Sequence, residues 1–149
     1  MLAGRRIAID VGTKRIGLAI TDSENILCSP LATVSDLTEV LNHLDDNVGL
    51  IYVGLPLNLK GEFTPSTKMA IKFAEDLGNE TAIPIRLIDE RLTTNLAHGN
   101  LRQAGRNTKS SKEIIDQVSA VVILEEALRI EKITGSPAGK SLEEVQDES

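Results

Sequence analysis

Between Arg5 and Val34 the chain alternates three extended segments with turns too short to carry a crossover, and this fixes much of what it can fold into. Residues 5–11 put Ile7, Ile9 and Val11 on one face and Ala8 and Asp10 on the other, the period-two pattern of a strand. Gly12, Thr13 and Lys14 form a tight turn, a second strand runs from Ile16 to Thr21, and Asp22 to Asn25 turn into a third near residues 26–34. Parallel neighbours need a connection of about a dozen residues or more. These strands must therefore pair as antiparallel hairpins.

Past Val34 the punctuation changes. Ser35 can cap a helix to about Asp46, and Val48 to Gly54 is a continuous apolar run that suits a strand buried on both faces. A helix is expected from about Ser66 to Leu77, closed by Gly78, then a strand from Ile83 to Ile88. Thr93 or Thr94 caps a helix to about Ala104, and a long helix runs from about Ser111 to Thr134. Strands separated by helices pair in parallel through right-handed crossovers. The expected architecture is α/β: a mixed five-stranded sheet, three antiparallel N-terminal strands followed by two parallel ones, with helices on both faces. Residues 1–135 form the single domain, and 136–149 read as an acidic, disordered tail in which Lys140 stands against Glu143, Glu144, Asp147 and Glu148.

Composition narrows the function classes. Aromatic residues are 2% of a chain that is 41% hydrophobic, so the core is aliphatic and a base-stacking surface is disfavoured. Any nucleic acid is then read by shape and backbone. The single cysteine, Cys28, cannot form an internal disulfide, which points to a reducing compartment. The apolar stretch after Arg5 and Arg6 is cut by Asp10, Lys14 and Arg15, so it is no secretory signal, and no run approaches the ~18 apolar residues of a membrane span. A cytoplasmic protein without a membrane partner is expected. The net charge of −6 is uneven: the tail holds −3 of it, while no acid occurs between Glu90 and Glu113, where Arg91, Arg102, Arg106, Lys109 and Lys112 cluster.

In open α/β sheets ligands gather at the carboxyl ends of the strands. Asp10 ends the first strand and Asp89-Glu90 the last, with Gly54 to Asn58 ending the strand between them. The final helix adds Asp116, which shares a face with Ala120, Ile123 and Ala127 at helical spacing. An ionised Asp on a core-facing stripe is strongly destabilising unless paired or bound to a cation, and the small Ser119 and Ala120 beside it let the helix approach the sheet. Converging carboxylates raise each other's pKa; Mg2+ or Mn2+, hard ions that accept oxygen ligands, relieve this. One or two such ions, which three acids alone hold only weakly, suit in-line phosphodiester hydrolysis. His43, His98 and Cys28 have no zinc-site spacing.

The stretches carrying these acids resemble a known family. Asp10-Val11-Gly12-Thr13-Lys14-Arg15-Ile16-Gly17-Leu18-Ala19, Gly54-Leu55-Pro56-Leu57-Asn58-Leu59-Lys60-Gly61, Asp89-Glu90-Arg91-Leu92-Thr93-Thr94 and Asp116-Gln117-Val118-Ser119-Ala120-Val121-Val122-Ile123-Leu124 resemble, in order and approximate spacing, the motifs of the YqgF/RuvX family of ribonuclease-H-like proteins. Lys60, often acidic in the family, departs from the pattern. The resemblance implies a ribonuclease-H-like sheet with Asp10, Glu90 and Asp116 as catalytic and metal-binding acids. It also implies a nuclease of structured nucleic acid, processing the 5′ end of pre-16S ribosomal RNA or, alternatively, resolving four-way DNA junctions. Thr13, Lys14, Arg15, Asn58, Arg91, Thr93, Arg106 and Lys109 are candidates to contact substrate, with the protein a monomer or weak homodimer.

Each residue also has a blander role. Asp10 can cap a turn, Asp89 and Glu90 can pair with Arg91, and Asp116 can be a buried acid paired with Arg91 or Lys14. Thr93 is equally a helix cap, and the basic stretch a solvated face. Two other classes stand beside the nuclease: an ATP-binding lobe, since Asp10-Val11-Gly12-Thr13 also looks like the phosphate turn of actin-like ATPases, and a nucleic-acid-binding module without catalysis. The first needs two lobes, and this chain has length for one.

Overall fold

The computed structural model describes residues 3–92 and 109–148, with side chains described except at 92 and 109–115. The elements in order are β1 (Arg5–Val11), β2 (Ile16–Thr21), β3 (Cys28–Val34), α1 (Leu37–Leu41), β4 (Val48–Leu55), α2 (Pro65–Glu80), β5 (Ile85–Asp89), a 3-10 turn (Glu90–Leu92), α3 (Lys109–Thr134), β6 (Lys140–Ser141) and α4 (Leu142–Glu148). They form one sheet in the order β3-β2-β1-β4-β5-β6. β1, β2 and β3 pair antiparallel, while β4 pairs parallel with β1, and β5 parallel with β4. The expected mixed sheet is thus present, and its later strands cross over as their separation requires.

The sheet has six strands rather than five, because the acidic tail is not disordered. β6 pairs antiparallel with β5 (Arg86↔Ser141, Leu87↔Lys140), and α4 packs behind it with Val145 fully buried. Gly139, at φ +70°, makes this possible: a Cβ there would lie 2.1 Å from the Leu87 carbonyl oxygen. The tail's charges are also compensated, Glu148 by Lys140 and Glu144 by Arg86 at 3.8 Å. Composition counts those acids but misses Leu142 and Val145, three residues apart on one helical face.

Other boundaries differ for local reasons. α1 is capped by Asp36, whose side chain accepts from the Glu39 N–H at 3.0 Å, not by Ser35. It ends at Leu41, and beyond it Asp45 takes the Asn47 N–H at 2.8 Å, a local turn that competes with further helix. α2 begins after Thr64 in a reciprocal capping box with Thr67 and runs through Gly78 to Glu80. Gly78 lies within the helix facing Ile85 and Leu142 instead of stopping it. The helix expected between Thr93 and Ala104 lies outside the described residues.

Alternation along the strands builds two cores. Ile7, Ile9, Leu18, Ile51, Val53 and Leu87 face α1, α2 and α4. Ala8, Ala19, Leu50, Tyr52 and Ile88 face α3, which contributes Ala120, Ile123, Leu124 and Ala127. The far end of α3 is fastened by ions. Glu131, 1% exposed, accepts from Arg6 Nε at 3.1 Å and Nη2 at 3.0 Å and from the Tyr52 hydroxyl at 2.6 Å. Tyr52 in turn accepts from the Ala138 N–H at 3.0 Å. Glu131→Ala would strand the fully buried Arg6 guanidinium and is expected to cost about 3–5 kcal/mol in denaturant unfolding. Arg129→Ala, which removes an exposed pair with Glu126, should leave the unfolding midpoint nearly unchanged.

Candidate active site

The site forms where α3 comes closest to the sheet. Asp10 lies in β1 on the α3 face, directly opposite Gly17 of β2. A Cβ on Gly17 would stand 2.2 Å from the Asp116 carbonyl oxygen and 3.1 Å from the Asp116 Cβ. The helix backbone therefore rests on glycine, and residue 116 meets the strand pair that carries residue 10. One strand further, a Cβ on Gly54 would stand 2.2 Å from Glu90 Oε1 and 2.8 Å from Ile123 Cδ1. The 3-10 turn that follows Asp89 brings Glu90 over Gly54, beneath the same helix. Glu90 thus meets Asp10, and Asp116 lies against the strand pair that carries Asp10, each acid from a separate stretch of chain.

Their environments differ. Burial pushes the Glu90 carboxyl up to about 9, assisted by the negative charge of Asp10 and a hydrogen bond with it. Near neutral pH Glu90 is therefore protonated and donates to the Asp10 carboxylate. Asp116 accepts from Arg15 Nε at 3.0 Å. Among the described side chains, Asp116 thus pairs with Arg15 and not with Arg91 or Lys14. Arg91 instead grips Asp89, with Nη2 2.6 Å from Oδ2. Burial works to raise the Asp89 carboxyl, but the guanidinium and N–H of Arg91 hold it below the ordinary value. The two adjacent acids are sorted: Asp89 fastens a loop and Glu90 faces the rim.

Thr13 and Lys14 are exposed in the β1–β2 turn. Asn58 is occupied within its own loop, accepting the Lys60 N–H at 3.0 Å and the Glu62 N–H at 2.8 Å and donating to Glu62 Oε1 at 3.0 Å. Thr93 and Arg106 lie outside the described residues, as does the side chain of Lys109. Sequence reasoning passed over Gly17 and Gly54, whose missing side chains make the approach possible. It also passed over Glu131, although that residue continues the stripe of Asp116, Ala120, Ile123 and Ala127 at the same spacing.

The donors suit a hard divalent cation. All are carboxylate oxygens, one is buried enough to keep a proton, and the cradle at Gly54 would be filled by any side chain. Among the described residues, no group of three or more His, Cys, Asp or Glu stands ready-made as a metal cage. Internal partners compensate the acids instead. A cavity of about 450 Å³ lies elsewhere, against Val48 and Pro84 at the amino ends of β4 and β5.

Sheet order, helix placement and rim acids together define a ribonuclease-H-like protein of the nuclease class. The chain belongs to the RuvX family, described as Holliday junction resolvase, which matches residues 4–130. Relatives named "Putative pre-16S rRNA nuclease" include those of Clavibacter michiganensis, 44% identical over 93% of this chain and 91% of theirs, and Leifsonia xyli, 43% identical over 96% and 97%. That of Streptomyces coelicolor is 39% identical over 97% and 92%. Among solved structures the fold is similar to T. thermophilus RuvC in complex with Holliday junction substrate, with a TM-score of 0.51 at 13% identity, over 91% of this chain and 99% of that one.

The Glu90 proton has a thermodynamic consequence. An unfolded Glu releases its proton near 4.5, whereas the folded one keeps it to about 9, so the folded state binds more protons throughout that interval. In metal-free buffer this group's stabilisation is complete below about pH 4.5 and is lost as pH rises toward 9. Glu90→Gln should flatten that decline in thermal melts from pH 5 to 9.5. Parallel curves for the two proteins would contradict the assignment.

Proposed function

We propose that this chain is a Mg2+- or Mn2+-dependent endonuclease of structured RNA, acting on the 5′ end of pre-16S rRNA. What supports this reading is the hydrogen bond between Glu90 and Asp10 together with the approach of Asp116 to the strand pair that carries Asp10, made possible by Gly17. Those three acids would hold one or two divalent ions. When bound, such an ion neutralises charge on the phosphate and makes hydroxide accessible from water near neutral pH. The protein's own contribution is placement. Glu90 must give up the proton it shares with Asp10, Asp116 is delivered by a helix fastened at its other end, and the exposed turn at Thr13 and Lys14 offers a cation to the substrate backbone. With Arg15 added, these groups address phosphates rather than bases.

The names of the relatives favour RNA. A second reading, cleavage of four-way DNA junctions, is favoured by the family description and by the fold shared with RuvC. A resolvase cuts two strands symmetrically and so needs paired sites; we assign this chain as a monomer or weak homodimer, which fits RNA better. Its single half-buried cysteine, and the lack among the described residues of any helix long and apolar enough to cross a membrane, suit a cytoplasmic setting.

The deciding experiment offers pre-16S 5′ leader RNA and a synthetic junction side by side, with Mg2+ or Mn2+. Leader RNA should be cut at a defined position and the junction left intact. Asp10→Asn and Asp116→Asn should each lower the rate by about two orders of magnitude or more while leaving the melting curve cooperative. Cleavage at the wild-type rate by either variant would remove that residue from the chemistry.

A further inference from the structure

A second cavity, of about 250 Å³, lies at the carboxyl ends of β4 and β5, on the face of the sheet turned away from α3. Leu55, Leu57 and Leu87 form its apolar lining. Four charged side chains complete it: Arg91, paired with Asp89 at 2.6 Å, and Lys140, paired with Glu148. Gly61 and Gly139 line it without side chains. Asn58 holds the Gly61 loop in place, its side chain accepting the Lys60 and Glu62 N–H groups and its carbonyl accepting the Gly61 N–H at 2.9 Å. The cavity is thus built from the protein's own contacts, as ligand pockets usually are.

Its position ties it to the acids. Leu55 stands opposite Asp89 in the parallel register, and the next residue, Glu90, turns over Gly54 to meet Asp10 on the other face. Cavity and acids are therefore one residue apart along the chain, on either side of one sheet edge. The lining indicates the ligand. Two cations and two carboxylates, already paired, leave no excess charge for a phosphate or a metal ion. Aliphatic walls bordered by donors and acceptors suit a flat, uncharged group with polar edges. An unpaired nucleobase has that chemistry, and extruded bases are gripped by apolar side chains while their Watson–Crick edges are hydrogen-bonded. The leucines offer here the contact that a chain with 2% aromatic residues cannot offer by stacking. Lys140 and Glu148 also lie beyond residues 4–130, the stretch matched by the family.

We propose that this cavity receives one unpaired base of the substrate strand beside Asp10 and Glu90, giving the chain a base preference that its phosphate contacts cannot supply. The proposal rests on the nucleic-acid reading above and does not depend on a metal ion.

The test is an NMR titration of the full chain, with leucine methyls and backbone amides labelled, in buffer containing Ca2+ in place of Mg2+. The probes are a single-stranded RNA of mixed sequence, a tetrahydrofuran-phosphate chain of equal length that lacks every base, and the four nucleoside monophosphates. The RNA should shift the Leu55, Leu57 and Leu87 methyls together with the Thr13 and Lys14 amides; the baseless chain should shift only the amides. Leu57→Trp, which fills the cavity, should weaken RNA binding about tenfold and change affinity for the baseless chain by no more than about twofold. Lys140→Trp, at a half-exposed position on the cavity, serves if Leu57→Trp does not fold. Unmoved methyls when RNA shifts the amides, or equal methyl shifts with the baseless chain, overturn the proposal and leave the nuclease reading standing. Methyl shifts with a monophosphate that RNA fails to reproduce make this a free-nucleotide site and overturn it too. If RNA shifts neither methyls nor amides, both readings fall.

Discussion

The close contact of a helix with a sheet at two glycines governs the rest of this structure. The backbone of Asp116 rests on Gly17, and Glu90 and Ile123 share the space above Gly54. A side chain at Gly17 would force the helix backbone outward, because packed interiors have little slack to absorb an added methyl, while one at Gly54 would displace the Glu90 carboxyl and the tip of Ile123. What the gap secures is proximity among groups that repel one another. Chain connectivity alone would not hold Asp10, Glu90 and Asp116 together; the apolar seam of Ala120, Ile123, Leu124 and Ala127 against the sheet does.

The charged rim is balanced by a charged anchor at the opposite end of the same helix. Arg6, Glu131 and Tyr52 form a closed, buried network, and the Ala138 N–H ties the following loop into it. Buried ion pairs often add little net stability but fix one arrangement among several. Here the arrangement is the axial position of α3 on the sheet, and with it the place of Asp116 about four helical turns away. The anchor is sealed and complete within the protein. The rim is less sealed: Arg15 and Asp116 stay partly exposed where they pair, and Glu90 shares a hydrogen bond with Asp10.

Much of this was legible in the residues. Turn lengths gave the hairpins, the apolar run Val48 to Gly54 gave the central strand, and helical spacing put Asp116 on the core face beside Ala120 and Ile123. The partners were not legible. Which cation meets Asp116 depends on where the β1–β2 turn sits relative to α3, and period-two or 3.6-residue patterns carry no such information. The glycines were visible as residues but not as contacts, since their role lies in what the neighbouring element does. The tail misled because its charges dominate its composition while two apolar residues decide its docking.

The most direct measurement is an anomalous difference map from crystals soaked in Mn2+ with an uncleaved RNA strand bound. A peak about 2.0–2.3 Å from carboxylate oxygens of Asp10, Glu90 and Asp116 is the predicted result. A peak elsewhere on the molecule, with Glu90 still hydrogen-bonded to Asp10, would contradict the account.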